Sequence, residues 1–578
     1  MAKKRSPAPQ TPSTTPRATF LSRFSWYLVL MPLLTLLWGW VYFEKGEIIA
    51  LNKGCGWDGV TYKNVVWSLQ WNKARPDYAE RSRLRIDPYR VQRIAPSVAV
   101  YGEMQAARWL YQQVTPMFTR VPAWLEWSYE QYPLPPWFFR WFADNPNQAA
   151  NAQSVALTLD SLVAGYFVFH SLLMLLGTAL LWAMTARKLN LGLTARWLGF
   201  CGLFANVAVM KMSFYYPTLT DTTALFAAML MLYAYVANSA WLLLPAAVLG
   251  FFTFPTAFYV AALLFLFPRS IVLHKEAVVE EAQAMTGFER NAGIGAGVLV
   301  LCASVYFVLI AEVRFVEVEQ IQPMLLILTL PLLLAHVFFT VSGLAAQFPL
   351  QAMVRHFKER KNLAGYALRA LILLVLWAGL LYWKKQIEDP TLAAPMNTSL
   401  FFGGSFASAL GKPLLPVVAG AVYFGPIILV MILRFREFLK AAWNLGLGYM
   451  LVVTGLLLMG IIMSETRQLI NFLPFLVLGV AYSLDSIRLP RIALVLFALV
   501  SVIAAKVWLP FNFAGMAEQA ANITGGIHAT FPLQYYFMNH GPWMSWTSYF
   551  LQGACALVVA GLLWWVLSPT FAAEYGEK

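Results

Sequence analysis

Long apolar runs, separated by short polar connections, dominate the chain from about Trp26 to about Leu567. Each is roughly 17 to 25 residues long, enough for a helix to cross about 30 Å of hydrocarbon. The runs are continuously apolar and do not alternate as barrel strands do, so helices are the spanning form they predict. Spans fall at about 25–43, 156–184, 194–212, 219–237, 241–254, 255–268, 293–311, 323–346, 364–382, 413–434, 441–463, 468–484, 490–508 and 547–567. The two short runs around "FTFPTAF" form either two spans or one re-entrant hairpin. The pattern predicts an all-α polytopic membrane protein with about 12–14 transmembrane helices.

The polar intervals set the organisation. Residues 1–24, "MAKKRSPAPQTPSTTPRATFLSRF", read as a disordered basic cytoplasmic tail, and 25–43 as the first transmembrane helix. Residues 44–155 form a long external loop after that first span, dense in tryptophan and in arginine between Arg75 and Arg93. Aromatic rings interleaved with arginines suit helices lying along the membrane interface, and "VAVYGEMQAARWLYQQV" reads as one of them. A multi-span domain follows over 156–567, then a cytoplasmic tail over 568–578. The first apolar run ends in "GWVYFEKGE" with no small-residue cleavage pattern, so it is expected to stay as an anchor.

Composition agrees: of 578 residues, 59% are hydrophobic and only 12% charged, far from a soluble globular chain. Mean hydropathy is +0.60. A net charge of +14 would suggest nucleic acid in a soluble protein. Here Arg187, Lys188, Arg269, Arg434, Arg436, Arg488 and Arg491 sit in short loops of one predicted side, which positive-inside topology makes cytoplasmic together with both termini. No nucleic-acid partner is needed. Lys384 and Lys385 break that rule. The cysteines are too scattered for a metal motif or a disulfide framework.

The predicted external side carries the candidate chemistry. In "GCGWDGV", Asp58 stands between Trp57, a surface on which a sugar or lipid can stack, and Gly59; the other reading is an acid exposed in a glycine turn. "RIDPYRVQRIAPS" groups Asp87, Arg90 and Arg93. If the chain turns helical after Pro88, the two arginines share a face and can clamp a phosphate, or they form a basic patch for anionic lipid. In "FYYPTLTDTT", Asp221 heads the fourth span, either capping it or joining Tyr215 and Tyr216 in a site shared with Asp58. In "SETRQLINF", Arg467 opposes the positive-inside tendency and calls for a partner, either Glu465 or a lipid phosphate lodged between helices. His170 and His336 lie within spans, where an ionisable side chain is a functional candidate or a satisfied packing group. No Walker A, GxGxxG, HExxH or CxxC pattern is present, so nucleotide hydrolysis and zinc chemistry have no support.

This layout of a first span, a long interfacial loop opening on an acid, a second acid in the next external turn and an arginine turn near the C-terminal spans resembles the GT-C superfamily of glycosyltransferases. "WDG" at 57–59 is similar to the WDG or YDG stretch of its bacterial members. "DPYRVQRIAPS" resembles the "YR.QRI" of bacterial membrane proteins linked to cell-surface glycopolymer formation. The resemblance implies a bacterial inner-membrane enzyme that takes a sugar from a polyprenyl-phosphate donor and passes it, with inversion, to a glycan, lipid or protein acceptor on the external face. Asp58 would then be the base and Arg467, with Arg90 or Arg93, would meet the leaving phosphate. Asp221 would support the base or orient the acceptor, with Trp57, Asp87, Tyr215, Tyr216 and Glu465 lining the substrate site. Some members hold a divalent metal with such acids, whereas no ligand cluster in this sequence calls for one. Two rival readings stand: a lipid or solute transporter or flippase, for which Asp160 and Arg369 near span ends speak, and a noncatalytic subunit of a polysaccharide assembly machine.

Overall fold

The computed structural model describes residues 58–71, 86–114, 156–210, 217–269, 286–307, 323–348, 360–389, 398–485, 491–507 and 546–567, with a few single positions between them. Every element among them is a helix, and no strand occurs among the described residues. Among the described residues, six helices are long and apolar enough to cross a membrane: Gly165–Lys188, Gly287–Val305, Met324–Gln347, Leu363–Ile387, Thr466–Asp485 and Tyr549–Val566. Six shorter apolar helices of 10–17 residues fall within or close to other runs read as spans, among them Leu193–Phe204, Asp221–Val236 and Leu447–Ile462. This is the build of an all-α, multi-pass membrane protein. The predicted first span, 25–43, lies outside the described residues.

Two runs are more broken than their hydropathy suggests. The run expected at 413–434 is Leu415–Phe424 followed by Ile427–Leu433, interrupted at Gly425, whose φ of 78° lies in the left-handed region, and Pro426. Before it, Thr398–Gly411 is helical, in the interval left between the spans expected at 364–382 and 413–434. Its glycines and serines hold hydropathy down without preventing a helix. Together Phe402–Gly411 and Leu415–Phe424 form a bent pair at 98°, which would count as a seventh span. The "FTFPTAF" runs are two short helices, Ala240–Phe251 and Ala257–Leu266, parted at Phe252–Thr256.

Asp221–Val236 lies at the hub. It packs against Ala156–Lys188, both short helices of the "FTFPTAF" pair, the 3-10 turn Thr466–Phe472 and Leu473–Asp485. Buried Ala224, Ala227, Ala228 and Ala234 let these neighbours approach closely, as small residues do where lipid offers no hydrophobic drive between helices. The helices Asp58–Trp71 and Ala95–Val114 pack on each other, and the second also packs on Ala156–Lys188. The backbone N–H of Ala95 donates to the Phe252 carbonyl at 2.8 Å, docking this segment on the break in the "FTFPTAF" pair.

Gly446 starts the Leu447–Ile462 helix at φ 120°, ψ 163°, a conformation almost confined to glycine. A Cβ there would also collide with the Tyr235 hydroxyl. Gly446→Ala is therefore expected to lower stability by about 1–3 kcal/mol. Thermal unfolding in detergent should show the midpoint falling, and an unchanged midpoint would contradict this account of the turn.

Candidate functional site

The site grows from a local signal that the sequence makes plain. Asp87 precedes Pro88 and caps the short helix Pro88–Val91: its Oδ1 accepts from the backbone N–H groups of Tyr89 and Arg90, both at 3.0 Å. Its Oδ2 takes the Arg90 guanidinium at 2.7 Å. Arg90 is thus paired within its own turn, whereas Arg93 lies beyond the helix end at Val91. Arg93 is 1% exposed, with its guanidinium carbon 4.5 Å from the Tyr89 ring centre and 4.7 Å from that of Phe254. From there it donates to the Gln468 side-chain oxygen at 3.3 Å.

Gln468 belongs to "TRQLINF", Thr466–Phe472, a 3-10 turn buried at all seven positions. Irregular backbone at membrane depth persists only where protein or a cavity surrounds it, which marks this turn as special. With three residues per turn, Gln468 and Asn471 share one edge and Arg467 lies on another. Along the first edge, Gln468 takes Arg93 and donates to Glu465 at 3.1 Å, while Asn471 donates to the Thr256 hydroxyl at 2.9 Å. From the second, Arg467 reaches Asp221 Oδ2 at 3.7 Å. One turn thus touches the Pro88–Ser97 segment, the break in the "FTFPTAF" pair and the hub helix.

Asp221 is 3% exposed and does not act as a cap; Thr220 holds the N-cap position and makes no side-chain capping bond. Its Oδ1 accepts from the buried Tyr423 hydroxyl at 2.9 Å. Its Oδ2 has no hydrogen bond and faces Arg467 at a separation longer than the roughly 2.8 Å of a charge-assisted hydrogen bond. The same 3-10 turn walls a cavity of about 240 Å³ through Thr466 and Leu469. Phe424, Leu469 and Leu473 are among its apolar walls, and His336, Thr340 and Thr466 supply polar points. Its wall residues Phe424 and Thr466 are the chain neighbours of Tyr423 and Arg467, while Asp221, Arg467 and Tyr423 themselves do not line it.

Asp221, Arg467, Arg93, Gln468 and Glu465 are therefore gathered, with Asp87 and Arg90 at the edge. Asp58 and Gly59 are helical, at the start of Asp58–Trp71, rather than in a turn. Trp57, Tyr215 and Tyr216 lie outside the described residues. Arg369 donates to the Phe265 carbonyl at 2.7 Å, at the end of a short helix. Sequence reading missed Tyr423 and Gln468. A tyrosine inside an apolar run just before Gly-Pro, and polar residues three apart in "TRQLIN", were the available signals. Among the described residues, no group of three His, Cys, Asp or Glu side chains is gathered as a metal would need. The chain matches no family model, no curated protein and no solved structure, so its function has to be argued from these residues.

Proposed function

We propose that the protein is a GT-C-type glycosyltransferase that moves a sugar from a polyprenyl-phosphate donor to a cell-envelope glycan, lipid or protein on the external face of a bacterial inner membrane. The observation that carries this reading is Arg467: a guanidinium 6% exposed, on a buried irregular turn that walls an apolar cavity. A lipid-linked phosphate asks for a buried cation on an element that also walls a hydrocarbon-lined space. Aromatic-stacked Arg93 stands one residue along, through Gln468, with its charge already desolvated.

In this mechanism the acceptor oxygen forms a bond to the anomeric carbon as the bond from that carbon to the phosphate oxygen breaks. The acceptor proton goes to the Asp58 carboxylate, and polyprenyl phosphate leaves with the electron pair. Arg467 meets the negative charge that grows on the phosphate, and Asp221, fixed by Tyr423, aims the guanidinium. Because the donor is already activated, no nucleotide site is required.

The bent pair at 98° and the irregular turn within the bundle favour a second reading, transport of a lipid-linked substrate, since broken helices build transporter sites. Release of polyprenyl phosphate from a panel of polyprenyl-phosphate sugars by protein in nanodiscs, with a cell-envelope glycan fraction as acceptor, separates the two. Asp58→Asn is expected to slow release by about 10²–10⁴-fold. Wild-type release by that variant removes Asp58 as the base, and tight donor binding without release by the wild type favours transport.

A further inference from the structure

His170 lies within the Ala156–Lys188 helix and is 2% exposed, yet both ring nitrogens are engaged. Nδ1 lies 2.7 Å from Glu103 Oε1, and Nε2 lies 2.9 Å from the Thr223 hydroxyl. The next residue repeats the connection: the Ser171 and Thr222 hydroxyls are 3.1 Å apart. Consecutive side chains of one helix thus hold consecutive side chains of another. Thr222 and Thr223 immediately follow Asp221, in the first turn of the hub helix.

The rotation of that turn matters. Successive residues of an α-helix are about 100° apart, so Thr222 and Thr223 point away from the side that Asp221 presents to Tyr423 and Arg467. The turn is clamped from both sides, by Tyr423 and Arg467 through Asp221, and by Ser171 and His170 through the threonines. Hydrogen bonds between apolar helices are directional where packing of alanines is not, and so fix both rotation and height. Glu103 carries the ladder one step further, to the Ala95–Val114 helix. That helix also holds Asp58–Trp71, with the Ser97 hydroxyl donating to the Tyr62 carbonyl at 2.9 Å.

We propose that Glu103, His170 and Thr223 form a latch that positions Asp221, and that ties its placement to the seating of the Ala95–Val114 helix on the bundle. The inference rests on the reading of Asp221 and Arg467 as the donor site. His170 is a positioning residue and touches no substrate. In the tautomer that donates from Nδ1–H to Glu103, Nε2 accepts from the Thr223 hydroxyl, and the chain runs in one direction from threonine to carboxylate.

The test pairs disruptive and conservative changes in protein held in nanodiscs. Thr223→Val removes the hydroxyl and keeps the shape, while Thr223→Ser restores the hydroxyl. Glu103→Leu removes the acceptor, while Glu103→Gln retains one. Hydrogen–deuterium exchange is followed in peptides covering 95–114 and 221–236, and KM and kcat are measured for release from a polyprenyl-phosphate sugar. Both disruptive variants should raise exchange in both segments and raise donor KM by about tenfold or more, with a smaller change in kcat. Thr223→Ser and Glu103→Gln should return both readouts towards wild type. Faster exchange in one segment alone, an unchanged donor KM, or no rescue by the conservative variants would overturn the latch. A wild type that releases no polyprenyl phosphate with any donor would retire the transferase reading instead; the exchange measurements would still decide whether the latch couples the two helices.

Discussion

Arg467→Ala is expected to reduce kcat/KM for a polyprenyl-phosphate sugar by about 10²–10³-fold, the loss seen when one preorganised group facing developing charge is removed. The guanidinium faces Asp221 at 3.7 Å in a buried setting, so little solvent has to reorganise before it acts. Arg467→Lys should recover only part of the loss. An ammonium supplies the charge but lacks the planar fork that can meet two phosphate oxygens while keeping Asp221. The check is steady-state release together with equilibrium binding of the donor. Unchanged donor affinity in Arg467→Ala would take Arg467 out of the site.

Asp221→Ala is expected to lower the stability of the folded protein by about 3–5 kcal/mol, because it strips a buried guanidinium of its facing carboxylate. Both side chains are under a tenth exposed, so solvent does little to screen the change. The Tyr423 hydroxyl loses its acceptor at the same time. Asp221→Asn should cost less, since an amide oxygen can still accept from Tyr423. In Asp221→Ala with Arg467→Ala, the two losses should fall short of their sum, as they do for residues that share an interaction. Unfolding midpoints of the two single variants and the double variant in one detergent give that comparison. Strict additivity would mean that the pair, at 3.7 Å, contributes nothing as a pair.

Much of this protein could be read from the sequence because its signals are local. Hydropathy over some twenty residues marks where helices can cross a membrane, and the Ala156–Lys188 and Trp546–Val566 helices begin within a residue of the predicted spans. Asp87 before Pro88 announces a helix start, and the structure has one there. "SETRQ" exposes a charge in need of a partner. Its neighbours cannot say which partner: the sequence offered Glu465 or a lipid phosphate, and the fold adds Asp221 at 3.7 Å. Likewise the spacing of Arg90 and Arg93 suggested one shared face, but it could not say that Arg90 pairs with Asp87 while Arg93 reaches across to Gln468.

By itself, then, the sequence determined the solvent this protein lives in, its helical build and the residue types available for chemistry, because burial in lipid and helix capping depend on stretches of a few to twenty residues. The tertiary structure alone decided which of those residues meet. Tyr423 reaches Asp221 across 202 positions, Arg93 reaches Gln468 across 375, and His170 reaches Glu103 across 67. Such pairings are set by how helices stack and rotate against one another, through small residues and single hydrogen bonds that leave no periodic trace along the chain.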